Sequence, residues 1–215
     1  MPLVKGNNRP VSVALLQLIE TRLEAHAPRR ERLRKLRKRS AVAMILQVRD
    51  GELHILMIKR AERVGDPWSG HMAFPGGRMD STDAHGFAVA LRETEEEVGL
   101  RLTEEDRCIG RLSEISARSR WGSLGMVVTP FVFRLEREVQ FTLNHEVAEV
   151  IWVPLEFLMD DDNRERMIWE YRGARFPVPC YRYRGRRIWG LSLMMLTEMM
   201  NLVQDQRAQG TAWRR

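Results

Sequence analysis

Apolar residues recur at helical spacing from Val13 to Ala25, with Val13, Leu16, Ile19 and Leu23 in one stripe. That pattern predicts an amphipathic helix, which Pro28 ends. The run Ser40–Gln47 (SAVAMILQ) is apolar enough for a buried strand, and Leu53–Lys59 alternates as its returning partner. Asp50-Gly51 between them is a hairpin turn signal. A second helix is expected over His85–Val98, and strands over Cys108–Ile115, Met126–Leu135 and Val147–Val153. Arg172-Gly173 and Arg184-Gly185 separate extended, aromatic-rich stretches and predict a further hairpin. The methionine-rich Ile188–Val203 reads as a final helix. Gly65-Asp66-Pro67 and Pro75-Gly76-Gly77 mark loops, and Met1–Pro10 reads as a loose tail. Strands and helices are interspersed without internal repeats, which argues a layered domain of mixed α/β class.

Composition narrows the class. A chain of 215 residues suits one domain, or one domain with a helical extension. A hydrophobic fraction of 44% is enough for a core and excludes wholesale disorder. No stretch approaches the roughly 20 apolar residues of a membrane span. The N-terminus has neither a signal-peptide nor a transit pattern. The two cysteines, Cys108 and Cys180, make neither a disulfide scaffold nor a cysteine zinc site, so a cytoplasmic protein is expected. The net charge of +6 is local: Arg29–Arg39 alone holds eight basic residues and one acid. Such a run suits phosphates of nucleic acid or an anionic membrane. No aromatic residue interleaves it, which favours a solvated helix face or connector over an RNA-stacking platform.

The densest chemical signal is Arg92-Glu93-Thr94-Glu95-Glu96-Glu97-Val98-Gly99. On a helix, Phe87, Leu91, Thr94 and Val98 share one face, and Glu93, Glu96 and Glu97 gather on the opposite side at i, i+3 and i+4. Like charges at that spacing repel, so they oppose folding unless cations reside there. Clustered hard oxygen ligands suit Mg²⁺ or Mn²⁺. Gly99 is placed to cap the helix in a left-handed conformation. Asp83 stands where a helix N-cap belongs. The glycine pair after Phe74-Pro75 permits close backbone approach and can present the Gly76 carbonyl to a metal.

These residues resemble the Nudix box of the Nudix hydrolases, G-x5-E-x7-R-E-U-x-E-E-x-G-U, where U is bulky and aliphatic. Gly77 matches the first glycine, and Arg92, Glu93, Glu96, Glu97, Gly99 and Leu100 match the second half. Asp83 replaces the first glutamate, one extra residue precedes Arg92, and Thr94 stands at an aliphatic position. The resemblance implies an α/β/α sandwich around a mixed sheet. It implies that Glu93, Glu96, Glu97 and the Gly76 carbonyl bind divalent metal, with Arg92 orienting the carboxylates. The implied reaction is hydrolysis of a pyrophosphate bond. Its base is either a box glutamate or one of Glu146 and Glu149 in NHEVAEVIWVP.

The Asp83 variation resembles the branch of Nudix enzymes that hydrolyse coenzyme A, as does Leu56-Met57-Ile58-Lys59-Arg60-Ala61 upstream. The upstream stretch is one residue longer than that branch's pattern, and Gly65 stands where it has arginine. Substrate-binding candidates are Arg60, Arg63 and Arg78 for phosphates, and Trp68 for stacking on adenine. His71 reads as a structural histidine, and Tyr181 and Tyr183 as members of a strand with one solvated face. The products implied are adenosine 3′,5′-bisphosphate and 4′-phosphopantetheine. Two alternatives stand beside this reading. One is a Nudix pyrophosphatase on ADP-ribose, NADH or a dinucleoside polyphosphate; the other is a non-catalytic nucleotide- or RNA-binding module. The chain divides as 1–39, helix and basic connector; 40–205, the Nudix domain; and 206–215, a tail. The apolar terminal helices serve either a homodimer interface or as caps on the sheet.

Overall fold

The computed structural model describes residues 9–65, 68–117, 125–171 and 173–204. The elements follow the order α1 (Arg9–Ala25), β1 (Lys38–Arg49), β2 (Glu52–Arg60), β3 (Met72–Ala73), β4 (Gly76–Arg78) and α2 (Gly86–Val98). Next come β5 (Cys108–Arg111), β6 (Ile115–Ala117), β7 (Met126–Arg134), β8 (Val147–Pro154) and α3 (Leu155–Met159). The chain continues through β9 (Arg164–Tyr171), β10 (Ala174–Tyr183), β11 (Arg186–Trp189) and α4 (Gly190–Val203). Helix α1 starts earlier than its apolar stripe, because proline at position 10 is tolerated in a first turn. The rest of the expected N-terminal tail, Asp66-Pro67 of the first loop and the tail 206–215 lie outside the described residues.

β1 is the centre of a mixed sheet. β7 runs parallel to it from Lys38 to Leu46. On its other flank β4 pairs with Ser40–Val42 and β2 with Leu46–Arg49. β2 continues outward to pair with β8 and β3, while β5 and β6 pair with the far edge of β7. The hairpin at Asp50-Gly51 has positive φ at both residues (49° and 82°), the twist that matches a two-residue β-turn.

Both faces of β1 are covered, which explains its nearly unbroken apolar sequence. Ala41, Ala43 and Ile45 pack with Val89, Ala90 and Val98 of α2. Met44 and Leu46 face the other way, into a core with Leu16, Ile19 and Leu23 of α1 and Leu193, Leu196 and Met199 of α4. Each of the valine, leucine, isoleucine and methionine side chains among them contributes about 1.5–3 kcal/mol by burial. The result is the expected α/β/α sandwich, with α1 sharing its core with the sheet. No helix among the described residues is long and apolar enough to cross a membrane.

Three expectations need correction. The strand expected over Cys108–Ile115 is two strands. The Ser113 amide donates to Glu198 of α4 and the Glu114 amide to the Arg29 carbonyl, both at 3.0 Å, so the chain leaves the ladder between them. The last helix begins at Gly190, because Ile188 and Trp189 pair with Tyr181 and Cys180. The basic segment forms no continuous helix and is tied to the domain. Arg34 lies 3.0 Å from the buried Glu114 carboxylate, Arg37 donates to Ser116 Oγ at 2.6 Å, and Lys38 and Arg39 open β1. Near the C-terminus, β9, β10 and β11 form a separate antiparallel sheet with two hairpins. Tyr181 is buried there, and it and Tyr183 pack against Phe157.

Candidate active site

Helix α2 and the β4 glycines face each other across a few ångströms. The helix starts at His85, whose ring accepts from the Ala88 amide at 3.1 Å, so the cap is His85 and not Asp83. Gly99 closes it in the left-handed region at φ 70°. Thr94 is fully buried, and its hydroxyl donates to the Ala90 carbonyl at 2.6 Å, which lets a polar residue stand at an aliphatic position. The glycine segment is held as a strand: Pro75 O accepts from the Ala43 amide at 2.8 Å, and Ser40 Oγ donates to Gly77 O. Ser40 carries no signal of its own in the sequence. Its role depends on the β1–β4 register, a pairing with no local signature.

The three box glutamates differ in environment. Glu96 is half exposed, Glu93 is largely covered, and Glu97 is only 3% exposed. The wheel that set all three on one side did not foresee Glu97 in the interior. Its carboxylate accepts from the Gly76 amide at 2.8 Å. Burial, followed by the charges of Glu93 and Glu146, pushes it up to about 7, against the opposing pull of the Gly76 hydrogen bond and Arg60. Burial also raises Glu93; Arg92 opposes this, while Glu96 and Glu146 add to it.

Arg92 braces the stripe. Its guanidinium grips Asp83 through Nε (3.2 Å) and Nη2 (2.9 Å), and Nη1 reaches Glu93 (3.0 Å) and Glu96 (3.1 Å). The Asp83 hydrogen bond raises Arg92 above its ordinary value and holds Asp83 below the usual carboxylate range. Asp83 therefore anchors the arginine across the loop, and the extra residue before Arg92 is absorbed without loss of that contact.

Two glutamates outside the box are candidate bases, and their surroundings differ. Glu149 is held by both arms of Arg186, at 2.8 and 2.5 Å. Glu146 stands beside the box: the final carbonyls of α2 accept from Thr142 and Asn144, and Asn144 Oδ1 accepts from the Glu146 amide at 2.8 Å. Arg63 Nη1 lies 3.4 Å from Glu146. Arg60, at the end of β2, is close enough to lower Glu97. Arg78 is exposed and meets the site through its carbonyl, which accepts from Arg92 at 3.3 Å. Trp68 is 43% exposed in the turn beyond β2, its carbonyl accepting from the His71 amide at 3.2 Å. His71 packs edge-on against Trp189.

The donor chemistry fits a divalent cation: carboxylates raised by burial and by one another are relieved by positive charge, and all the donors are hard oxygens. Among the described residues, no three His, Cys, Asp or Glu side chains close round a single point.

Residues 37–171 match the NUDIX domain family. The chain belongs to the Nudix hydrolase family. A Nudix hydrolase of Photorhabdus laumondii, NudL, is 31% identical over 150 residues, which cover 69% of this chain and 77% of that one. The peroxisomal coenzyme A diphosphatase ndx-8 of Caenorhabditis elegans is 30% identical over 135 residues, covering 61% of this chain and 55% of that one. The chain spans 33% of the length of one relative and 98% of another. The crystal structure of a MutT/nudix family protein from Enterococcus faecalis has the same fold, with TM-score 0.51 and 16% identity over 97% of this chain and 78% of that one.

Proposed function

We propose that this Nudix hydrolase cleaves the pyrophosphate of coenzyme A or its derivatives. Water's oxygen bonds to one phosphorus and the bridging oxygen leaves with the other. The products are adenosine 3′,5′-bisphosphate and the 4′-phosphopantetheine moiety. The observation that carries the chemistry is the Glu93–Glu96–Glu97 stripe braced by Arg92 against the Gly76-Gly77 strand. Glu93, Glu96, Glu97 and the Gly76 carbonyl would hold a divalent cation, Mg²⁺ or Mn²⁺, which would neutralise pyrophosphate oxygens and lower the pKa of water there. Arg92 keeps Glu93 and Glu96 in place. A box glutamate or Glu146 accepts the proton from water; Glu146 is favoured over Glu149, which Arg186 occupies. Arg60, Arg63 and Arg78 neutralise substrate phosphates, and Trp68 stacks on the adenine.

The coenzyme A assignment rests on the stretch from Leu56 to Gly77 and on the similarity to a relative bearing that activity in its name. The ties of the basic segment to Glu114 and Ser116 support a connector over a nucleic-acid surface. Similar proteins carry peroxisomal and mitochondrial names. The test is Mg²⁺-dependent turnover with resolved products. Coenzyme A should be cleaved at least about tenfold more efficiently than dephospho-coenzyme A, one charge-assisted contact being lost. Equal rates, or preference for ADP-ribose or NADH, would discard coenzyme A and keep the pyrophosphatase chemistry.

Arg92→Lys keeps the charge and loses the two-armed grip on Asp83. Its kcat should fall about tenfold, with less loss of Mg²⁺ dependence than a glutamate substitution causes. A wild-type rate in this variant would remove the bracing role.

A further inference from the structure

The β9–β10 hairpin extends beyond the part of its sheet that β11 covers, since β11 reaches only Cys180–Tyr183 on β10. Its two flanks are unlike. β9 and β10 are joined by two residues, so the closing pair Tyr171↔Ala174 is hydrogen-bonded and pairs alternate from there. Pro177 and Pro179 then have their nitrogens toward the open flank of β10, where they withhold two donors from any further strand. On β9 the same alternation turns the amides and carbonyls of Arg166, Ile168 and Glu170 outward. In that sheet β9 pairs with no described strand but β10. All three side chains are exposed, and Ile168 is 50% exposed.

The open flank is self-complementary. Arg166 and Glu170 lie two residues either side of Ile168 with opposite charge. Charges guarding an edge against a second copy would be of one sign, or would meet like for like on antiparallel self-pairing. Here, a register centred on Ile168 sets each Arg166 opposite the partner's Glu170 and Ile168 opposite the partner's Ile168. All of these are hydrogen-bonded pairs, so backbone, charge and the central apolar pair are satisfied together in this register. Met167 and Trp169, both half-buried on the other face, then lie opposite the partner's Trp169 and the partner's Met167. The Phe176 ring, 44% exposed and 6.1 Å from Trp169, extends that apolar face. Shifting the register by two residues toward the hairpin tip sets Ile168 against Glu170 and loses both charge pairs; the opposite shift sets Arg164 against Glu170 but places Ile168 against Arg166.

We propose that β9 is a homodimerisation strand, joining two copies of this chain edge to edge about a twofold axis through Ile168. The α1 and α4 helices, offered by the sequence as interface or caps, share a core with the sheet and cap it. The proposal is independent of the substrate assignment.

Sedimentation velocity on the full chain, from micromolar to tens of micromolar, tests it. Wild type should be a dimer. Arg166→Glu and Glu170→Arg should each weaken dimerisation at least about tenfold, because each places like charges together twice. The double variant should restore dimerisation, since the swapped charges pair again. Coenzyme A turnover or, failing that, a cooperative thermal transition confirms that each variant is folded. A monomeric wild type overturns the proposal. So does a dimer that survives both single substitutions, or a double variant that stays monomeric while folded.

Discussion

Glu97→Gln should lower kcat by about 10²–10⁴-fold while leaving the fold intact. The amide keeps the volume and can still accept from Gly76, whose hydrogen bond holds the buried side chain. What is lost is the negative charge that the cation and the water's proton require. The same substitution makes a stability prediction of opposite sign. In the folded chain Glu97 titrates at about 7, against an ordinary value of 4.5. Below pH 4.5 the group is protonated in both states and contributes no difference. Between the two values the unfolded chain releases its proton and the folded chain keeps it, so stability falls as pH rises. Above about 7 the loss is complete and amounts to about 3 kcal/mol. Thermal unfolding in a chelator should therefore show Glu97→Gln more stable than wild type at pH 8 and equal to it near pH 4. Mg²⁺ should raise the wild type at pH 8 and leave the variant nearly unmoved. Full activity in the variant, or a stability gap that does not grow with pH, would refute the role given to this carboxylate.

Gly76→Ala should be the most damaging small substitution to the fold near the site. Gly76 has φ 153°, and a Cβ there would collide with the Ala41 carbonyl oxygen and lie 2.6 Å from Val42 Cα. Those are backbone atoms of the central strand, held by β7 on the far side, so they cannot retreat. β4 would have to leave β1, and the Gly76 hydrogen bond to Glu97 would go with it. The expected cost is about 3 kcal/mol or more, a fall in melting temperature of about 6–12 °C for a chain of this size. Gly77→Ala separates structure from chemistry. Its Cβ would meet the Glu93 carboxylate, the far end of a flexible side chain. Melting should change little, and activity should fall because Glu93 is displaced. Calorimetry and turnover on the two variants check this. Equal melting temperatures for Gly76→Ala and wild type would contradict the packing.

The local elements were legible because local patterns specify them. The β1–β2 hairpin, α2 with its Gly99 cap, and the box glutamates all follow from spacings of a few residues. What was not legible depends on residues far apart in the chain. Asp83 looks like a helix cap until Arg92 is seen to fold back on it. Glu146 and Glu149 are equivalent in sequence, and only Arg186 and the loop docked on α2 distinguish them. Glu97 belongs to a polar stripe on a helical wheel, yet the β4 glycines cover it. The break between β5 and β6 comes from bonds to Arg29 and Glu198, far apart in the sequence.

One face of the sheet is closed jointly by α1 and α4, the first and last described helices. A ribosome delivers them in that order. As the chain emerges, α1 covers only part of the core that holds Met44, Leu46, Ile55 and Met57, and α4, which completes the cover, is made well after the box residues. Until then the nascent domain presents a sticky sheet surface to its surroundings. Folding is therefore completed only after synthesis of the catalytic residues is long past, and chaperones have a defined surface to guard in the interval.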